Sequence, residues 1–299
     1  MDRNESNAAG GEMQAHGVSL EKHKEALLTL LREFDRVCRQ LNIPYTLFAG
    51  SMLGAVRHKG FIPWDDDLDV LMMREDYDRF LREADRVLDR EKFFLQKEFS
   101  DHWPMFFSKL RINNTTCLET YHPKDPLTHQ GVYIDLFPCD NAMRRAWGRR
   151  LQFYASKVVI AKSLTQRGYE TYSFKKKMFM TLCRLLPMRP FLRLVKGGAP
   201  DGRLVHTFLG GASSYSKNVH PRECFDAKVM LPFEDGAFPV ASRHHEILTT
   251  LYGDYMRIPP PEERRIKRHA VLVDLERPYD AYREYHLGMS FDVVTKSIR

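Results

Sequence analysis

Cysteine is scarce in this chain. Its 299 residues hold five, Cys38, Cys117, Cys139, Cys183 and Cys224, widely scattered and with no CxxC pair. That spacing argues against a structural zinc site, and an odd, scattered set points to a reducing compartment rather than a disulfide framework. Long apolar runs are missing too: none reaches the roughly 18 residues needed to span a bilayer. The first residues, from Met1 to Gly17, are polar and lack the apolar stretch of a secretory signal. Internal repeats and low-complexity tracts are absent. The expected location is the cytoplasm, either free or at the inner face of the membrane.

Acids nearly vanish in one stretch. Between Asn141 and Pro200 there are 14 Lys or Arg and a single acid, Glu170, so the stretch carries +13. The whole chain is only +7, so the rest is net acidic. Apolar residues recur there at helical spacing, first Trp147, Leu151, Tyr154, Val158 and Ala161, then Phe179, Leu182, Leu185 and Leu186. Basic residues such as Arg149, Arg150, Lys157, Lys175, Lys176, Lys177 and Arg184 lie between them. Two readings stand: basic amphipathic helices on an anionic membrane, or a helical subdomain with a solvated basic face. Nucleic acid is not expected as a partner, because no RNA- or DNA-binding module is recognisable.

Apolar residues, in contrast, are plentiful. The chain is 43% hydrophobic and 28% charged, a composition that excludes a disordered tail and permits a large core. Residues 1–18 read as a flexible leader. Ser19 is a good N-cap, and Leu20, Leu27, Leu31, Phe34, Cys38 and Leu41 predict a helix ending near Asn42 and Pro44. Strands are expected at Tyr45–Ala49, Leu68–Met73, Phe93–Gln96, Phe106–Ile112 and Val132–Phe137, and helices from Met52 and over Glu75–Asp89. This alternation signals an α/β (α+β) fold. A hairpin at Lys228–Pro239, a helix near Ser242–Tyr252 and a turn at Pro259–Pro261 follow. The expected organisation is a core at 19–140, a basic helical insertion at 141–200 and a C-terminal part, 201–299, that completes the catalytic domain.

Four carboxylates fall within five positions in Trp64-Asp65-Asp66-Asp67-Leu68-Asp69, directly ahead of an apolar run. If extended geometry starts that early, Asp65, Asp67 and Asp69 share one face while Leu68, Val70 and Met72 point into the core. Crowded carboxylates repel unless protonated or joined by a cation. Magnesium, or manganese in its place, suits such oxygen donors and also takes phosphate oxygens. The bland alternative is a solvated acidic loop. Upstream, Gly50-Ser51-Met52-Leu53-Gly54 is a turn entering a helix, with Arg57, His58 and Lys59 following. Gly50, Ser51, Gly54 and Arg57 are therefore candidate phosphate-binding residues, with close packing as the alternative for the glycines. Asp135, an acid inside the apolar run Val132–Pro138, is the candidate for completing a two-metal centre, or else a partner for Arg111.

The stretch Phe48–Val70, carrying both motifs, resembles the signature of the LicD family, which includes the fukutin-related protein. The resemblance continues through Tyr133-Ile134-Asp135-Leu136-Phe137-Pro138, Cys224-Phe225-Asp226 and Leu251–Met256. Ser51 stands where the family more usually has Thr; both carry a hydroxyl. The segment 141–200 matches no motif. The resemblance implies a nucleotidyltransferase-like fold, a mixed sheet with flanking helices. It also implies transfer of a phospho-alcohol, such as phosphocholine or ribitol phosphate, from a CDP-activated donor to a hydroxyl of a cell-surface glycan or glycolipid, with release of CMP. It carries over Asp65, Asp67, Asp69 and Asp135 as the metal acids.

On this expectation Asp67, Asp69 and Asp135 hold two ions, with Asp65 beside them, and Asp135 takes the acceptor proton. Lys109 and Arg111 are candidate phosphate clamps or plain surface charge. Tyr252 and His269 belong to a base or acceptor pocket or to a structural C-terminal cap. The rivals are a metal-dependent glycosyltransferase using a nucleotide-sugar, and a membrane-surface scaffold with an inactive site.

Overall fold

The computed structural model describes residues 18–119, 123, 125–264 and 269–282. It is an α/β fold. The leader expected at 1–18 lies outside these residues except for Val18, whose N–H bonds to the Val273 carbonyl.

Helix α1 (Leu20–Leu41) begins and ends where its capping residues dictate. Ser19 Oγ accepts from the Lys22 N–H, and Asn42 closes the helix in the left-handed region at φ 51°. Its stripe Leu27, Leu30, Leu31, Phe34 and Val37 is fully buried against the central sheet. The sheet draws on β1 (Thr46–Leu47), β2 (Asp69–Met73), β3 (Phe93–Gln96), β4 (Ser108–Ile112) and, after β5 (Thr116–Glu119), on β6 (Tyr133–Asn141). The order is β1-β2-β6-β4-β3. Only β2 and β6 pair in parallel; the other neighbours are antiparallel. Past its pairing with β4, β6 continues against β7 (Leu204–His206), which pairs with β8 (Val219–Pro221). Downstream, β9 (Lys228–Phe233) and β10 (Gly236–Ala241) form a hairpin, and β11 (Ala270–Asp274) pairs with β5.

The remaining helices are α2 (Ala49–His58), α3 (Arg74–Glu83), α4 (Ala146–Arg167), α5 (Phe174–Leu185), α6 (Met188–Lys196) and α7 (His244–Tyr252). Several boundaries differ from the sequence reading. The first strand is cut to two residues because Phe48 already caps α2, which begins at Ala49 rather than Met52. Helix α3 stops at Glu83 and tightens into a 3-10 turn over Ala84–Arg86. Strand β6 runs on to Asn141 because β7 gives its second half a partner.

Candidate metal and phosphate site

Register builds the centre of the site. Asp69 of β2 lies opposite Asp135 of β6, and Asp135 lies opposite Lys109 of β4. Neighbouring strands are about 4.8 Å apart, so three charged residues stand side by side on one face of the sheet. Chain segments around them fix that placement. The Asp69 N–H donates to Ser51 Oγ at 2.8 Å, and its carbonyl accepts from Phe48 N at 3.0 Å. The first turn of α2 is thereby locked to the first residue of β2.

The segment ahead of β2 is irregular over Asp65–Leu68, yet burial alternates as strand geometry predicts. Asp66, Leu68 and Val70 are buried, whereas Asp65, Asp67 and Asp69 are only partly so. Lys24 of α1 pins this segment from behind, its Nζ donating to the carbonyls of Ile62 and Pro63, both at 3.0 Å. Glu234 at the tip of the β9–β10 hairpin holds it from the side, through the Phe61 N–H at 2.8 Å and the Lys59 carbonyl at 2.9 Å.

The inward Asp66 is a fastener. Its carboxylate accepts from the backbone N–H groups of His269 and Ala270 and pairs with His269 Nδ1 at 3.0 Å. Against the upward push of burial, these bonds hold the Asp66 carboxyl below its usual range. The hydrogen bond to Asp66 raises the His269 imidazole to about 9, against its own burial, so it carries a positive charge beside the acids. Asp67 Oδ2 lies 3.5 Å from the same nitrogen.

The outward acids behave in the opposite way. Burial, then repulsion from Asp65, raises the Asp67 carboxyl to about 7. Burial, with Asp67, Asp135 and Asp65 adding to it, pushes Asp69 well above the ordinary range. Asp65 is raised by burial, and Asp66 adds to that. Burial also raises Asp135, with Lys109 pulling back. Lys109 Nζ is 3.4 Å from Asp135 Oδ1, and that oxygen is buried with no hydrogen-bond partner. Tyr252 stands in the same field: burial, then Asp69, Asp67 and Asp65, raises its hydroxyl.

The basic residues expected to grip phosphate are differently placed. Lys109 is no surface charge. It is 1% exposed, lies 3.1 Å from the centre of the Tyr133 ring, and is shared between Asp135 and Glu119. Arg111 is equally buried, donating to Gln96 Oε1 at 2.7 Å and the Gly131 carbonyl at 2.6 Å. It is therefore not the partner of Asp135. Arg57 donates to the Tyr255 carbonyl at 2.7 Å and ties α2 to the turn after α7. The chain's own carbonyls and the Gln96 amide oxygen thus take up donors of both arginines. Gly54 is a packing residue: a Cβ there would meet the Gly60 carbonyl oxygen at 2.4 Å. Gly50 lies against the acids, where a Cβ would sit 3.1 Å from Asp65 Oδ2. Ala49 beside it takes φ 45°, a left-handed conformation that a non-glycine residue adopts at a cost of order 1–3 kcal/mol.

The sequence reading missed two residues of this region. Asp66 was passed over as one acid of a run, although its position between outward neighbours turns it inward. Glu119 closes β5 and is half-buried among Arg167, Lys109 at 3.2 Å and the Tyr133 hydroxyl at 2.9 Å. Burial pushes its carboxyl up, but Arg167 and Lys109 outweigh it, so the group stays ionised. An acid ending an apolar strand, as Asp135 interrupts one, was the available signal.

The donor set suits a hard divalent cation: carboxylates held together against their repulsion, with one buried oxygen unpartnered. Among the described residues, Asp65, Asp66 and His269 offer ligand atoms within 4.8 Å of one another and could hold a metal ion. Asp67, Asp69 and Asp135 are not drawn that close. The Asp66 oxygens already accept three N–H groups, so the carboxylates with open lone pairs are those facing outward.

These elements match a known family. The LicD/FKTN/FKRP nucleotidyltransferase domain is found over residues 42–189. This stretch of the chain is a LicD-family domain. The chain is 28% identical over 259 residues to the lipopolysaccharide cholinephosphotransferase LicD of Haemophilus influenzae, covering 83% of this chain and 95% of that protein. An uncharacterized protein of Rickettsia typhi is 45% identical over 56 residues, 19% of this chain and 18% of its own length. A similar one from Rickettsia prowazekii is 45% identical over 51 residues, 17% of this chain and 19% of its own. The LicD-family domain contains Ser51, the four outward or sheet-borne aspartates, and the helices α4 and α5.

Proposed function

We propose that this protein is a metal-dependent transferase. It would move a phospho-alcohol, phosphocholine-like or ribitol-phosphate-like, from a CDP-activated donor to a hydroxyl of a cell-surface glycan or glycolipid. The observation that carries the reading is the row Asp69–Asp135–Lys109, set in register beside the start of α2 and joined by Asp65 and Asp67. Likeness over nearly the full length of a protein named as a lipopolysaccharide cholinephosphotransferase supports the choice of reaction.

Asp65, Asp67, Asp69 and Asp135 would hold magnesium or manganese, in our reading two ions. Bound there, the metal would neutralise charge on the donor diphosphate and on the departing CMP. The chain's own residues orient and move protons. Ser51 fixes the backbone of Asp69. Lys109, held between Glu119 and Asp135, keeps the Asp135 carboxylate in place and partly neutralised. Asp135 then accepts the proton of the acceptor hydroxyl as its oxygen forms the new P–O bond and the bond to CMP breaks. The Tyr252 hydroxyl, kept neutral by burial and by the neighbouring acids, would be a donor at the rim for a sugar or phosphate oxygen.

The test is to incubate the protein, with a lipopolysaccharide acceptor and magnesium, with CDP-choline, CDP-ribitol and UDP-glucose in parallel. Release of CMP from a CDP-alcohol, abolished by EDTA and restored by magnesium, is the expected result. Release of UDP alone would identify a nucleotide-sugar glycosyltransferase instead, and release of neither would leave the scaffold reading.

A further inference from the structure

Helix α5 of the basic segment buries little and exposes much. Helix α5 docks on α4 through Met180 and Cys183, which pack with Ala161. At about 100° per residue, Phe174, Met178, Leu182 and Leu185 form a single stripe on the opposite side of α5. Those four side chains are 78%, 52%, 57% and 81% exposed. A surface helix normally turns one apolar face inward and a polar face to water. Helix α5 instead has a second apolar face, turned outward.

Basic residues flank that stripe. Lys175 lies to one side and Lys177 and Arg184 to the other, all exposed. None of the three takes part in a salt bridge among the described residues. Of the 14 basic residues between Asn141 and Pro200, only Arg144, Arg167 and Lys196 pair with carboxylates in that set. The exposed row continues on α4. Trp147, Leu151 and Tyr154, each at least 46% exposed, follow the same helical spacing as Val158 and Ala161, which α5 covers. Among the described residues, no helix is long and apolar enough to cross a membrane.

We infer that the outer face of α5, extended by the exposed row of α4, seats this protein on an anionic lipid surface. The stripe enters the headgroup boundary, and Lys175, Lys177 and Arg184 reach acidic headgroups beside it. Charge complementarity selects the partner. A second copy would bring the same positive charge to the contact, whereas an anionic bilayer supplies the opposite sign over any area. The inference uses no part of the transferase reading and stands or falls separately.

The experiment is co-sedimentation of the full chain with phosphatidylcholine vesicles, with and without roughly one-third phosphatidylglycerol. The wild type should pellet with the anionic vesicles and stay in solution with the neutral ones. Leu182→Ser with Leu185→Ser, and separately Lys175→Glu with Lys177→Glu, should each lower the bound fraction about tenfold or more. The lysine pair is exposed and outside the packing, so it carries the test if the leucine pair does not fold. The inference is overturned if the wild type ignores anionic vesicles or if both variants bind as well as it does. It is also overturned if sedimentation velocity shows a dimer that the leucine pair dissociates while vesicles are not bound.

Discussion

Strand β6 carries two aspartates five residues apart, Asp140 buried and Asp135 half-buried, and they live differently. Asp140 is gripped by Arg74, Nε to Oδ1 at 2.7 Å and Nη2 to Oδ2 at 3.1 Å. Arg74 also meets Glu98 at 3.1 Å, and Lys196 meets Glu98 at 2.8 Å. Arg74 reaches Asp78 as well, at 3.3 Å, so each of the three acids at that end has a cationic partner. At the other end, Asp135 shares Lys109 with Glu119 and faces Asp69, Asp67 and Asp65 beside it. There Asp65 and Asp69 take part in no salt bridge among the described residues. Closing a charge network makes structure; leaving one open in a fold that tolerates it makes a site for a cation.

The largest expected effect breaks the open end. Asp69→Asn should lower CMP release from a CDP-alcohol by at least about 10²–10³-fold, read in the assay above. It should leave the thermal midpoint unchanged or higher, because one repelling charge is gone. A fall in midpoint with activity kept would make Asp69 structural. The closed end should respond in the opposite way. Arg74→Met strands Asp140 and leaves Glu98 to Lys196 alone, and should cost about 3–5 kcal/mol of stability by urea unfolding. A loss near zero would dissolve the contrast.

Two buried histidines sharpen the picture of the closed region. Burial lowers His206, stacked on Phe208, to about 4, and does the same to His220, whose Nε2 has no partner. Unfolded, each would titrate near 6.5. Between that value and about 4 the unfolded chain takes up protons that the folded chain refuses, so each histidine costs stability as pH falls, about 2 kcal/mol at roughly pH 5. The raised Asp67 acts with the opposite sign. The comparison is therefore wild type against His220→Gln, whose midpoint should fall less steeply from pH 6.5 to 5; parallel curves would refute the assignment. Comparable in size is the effect of Gly54→Ala, whose new methyl presses on the Gly60 carbonyl. It should cost about 1–3 kcal/mol and slow turnover by shifting the loop before Asp65, read by unfolding and by the CMP assay together.

Much of this was legible in the chain. Ser19 and Asn42 marked α1, Phe93–Gln96 was a strand at the expected limits, and the alternation at Asp65–Asp69 ordered the side chains before any ladder formed. Within 141–200 the apolar spacing marked helices where α4 and α5 lie, but not α6. What could not be read is what depends on distant pairing. Strands β5, β7, β8 and β11 are three to five residues long and gain their partners from across the sequence. Lys109 looked like any strand lysine, and only the register of β4 against β6 buries it beside Asp135. The carbonyls that take Arg57 and Arg111 come from residues 198 and 20 positions away. The fastening of Asp66 to His269 spans 203 residues, a distance at which sequence spacing carries no signal.

The central claim is that the outward aspartates gather a divalent cation. Titrating manganese into the full chain and following the free ion by electron paramagnetic resonance tests it most directly. The account predicts saturable binding by the wild type that is lost in Asp69→Asn and kept in Arg74→Met. Equal binding by the wild type and Asp69→Asn would contradict it.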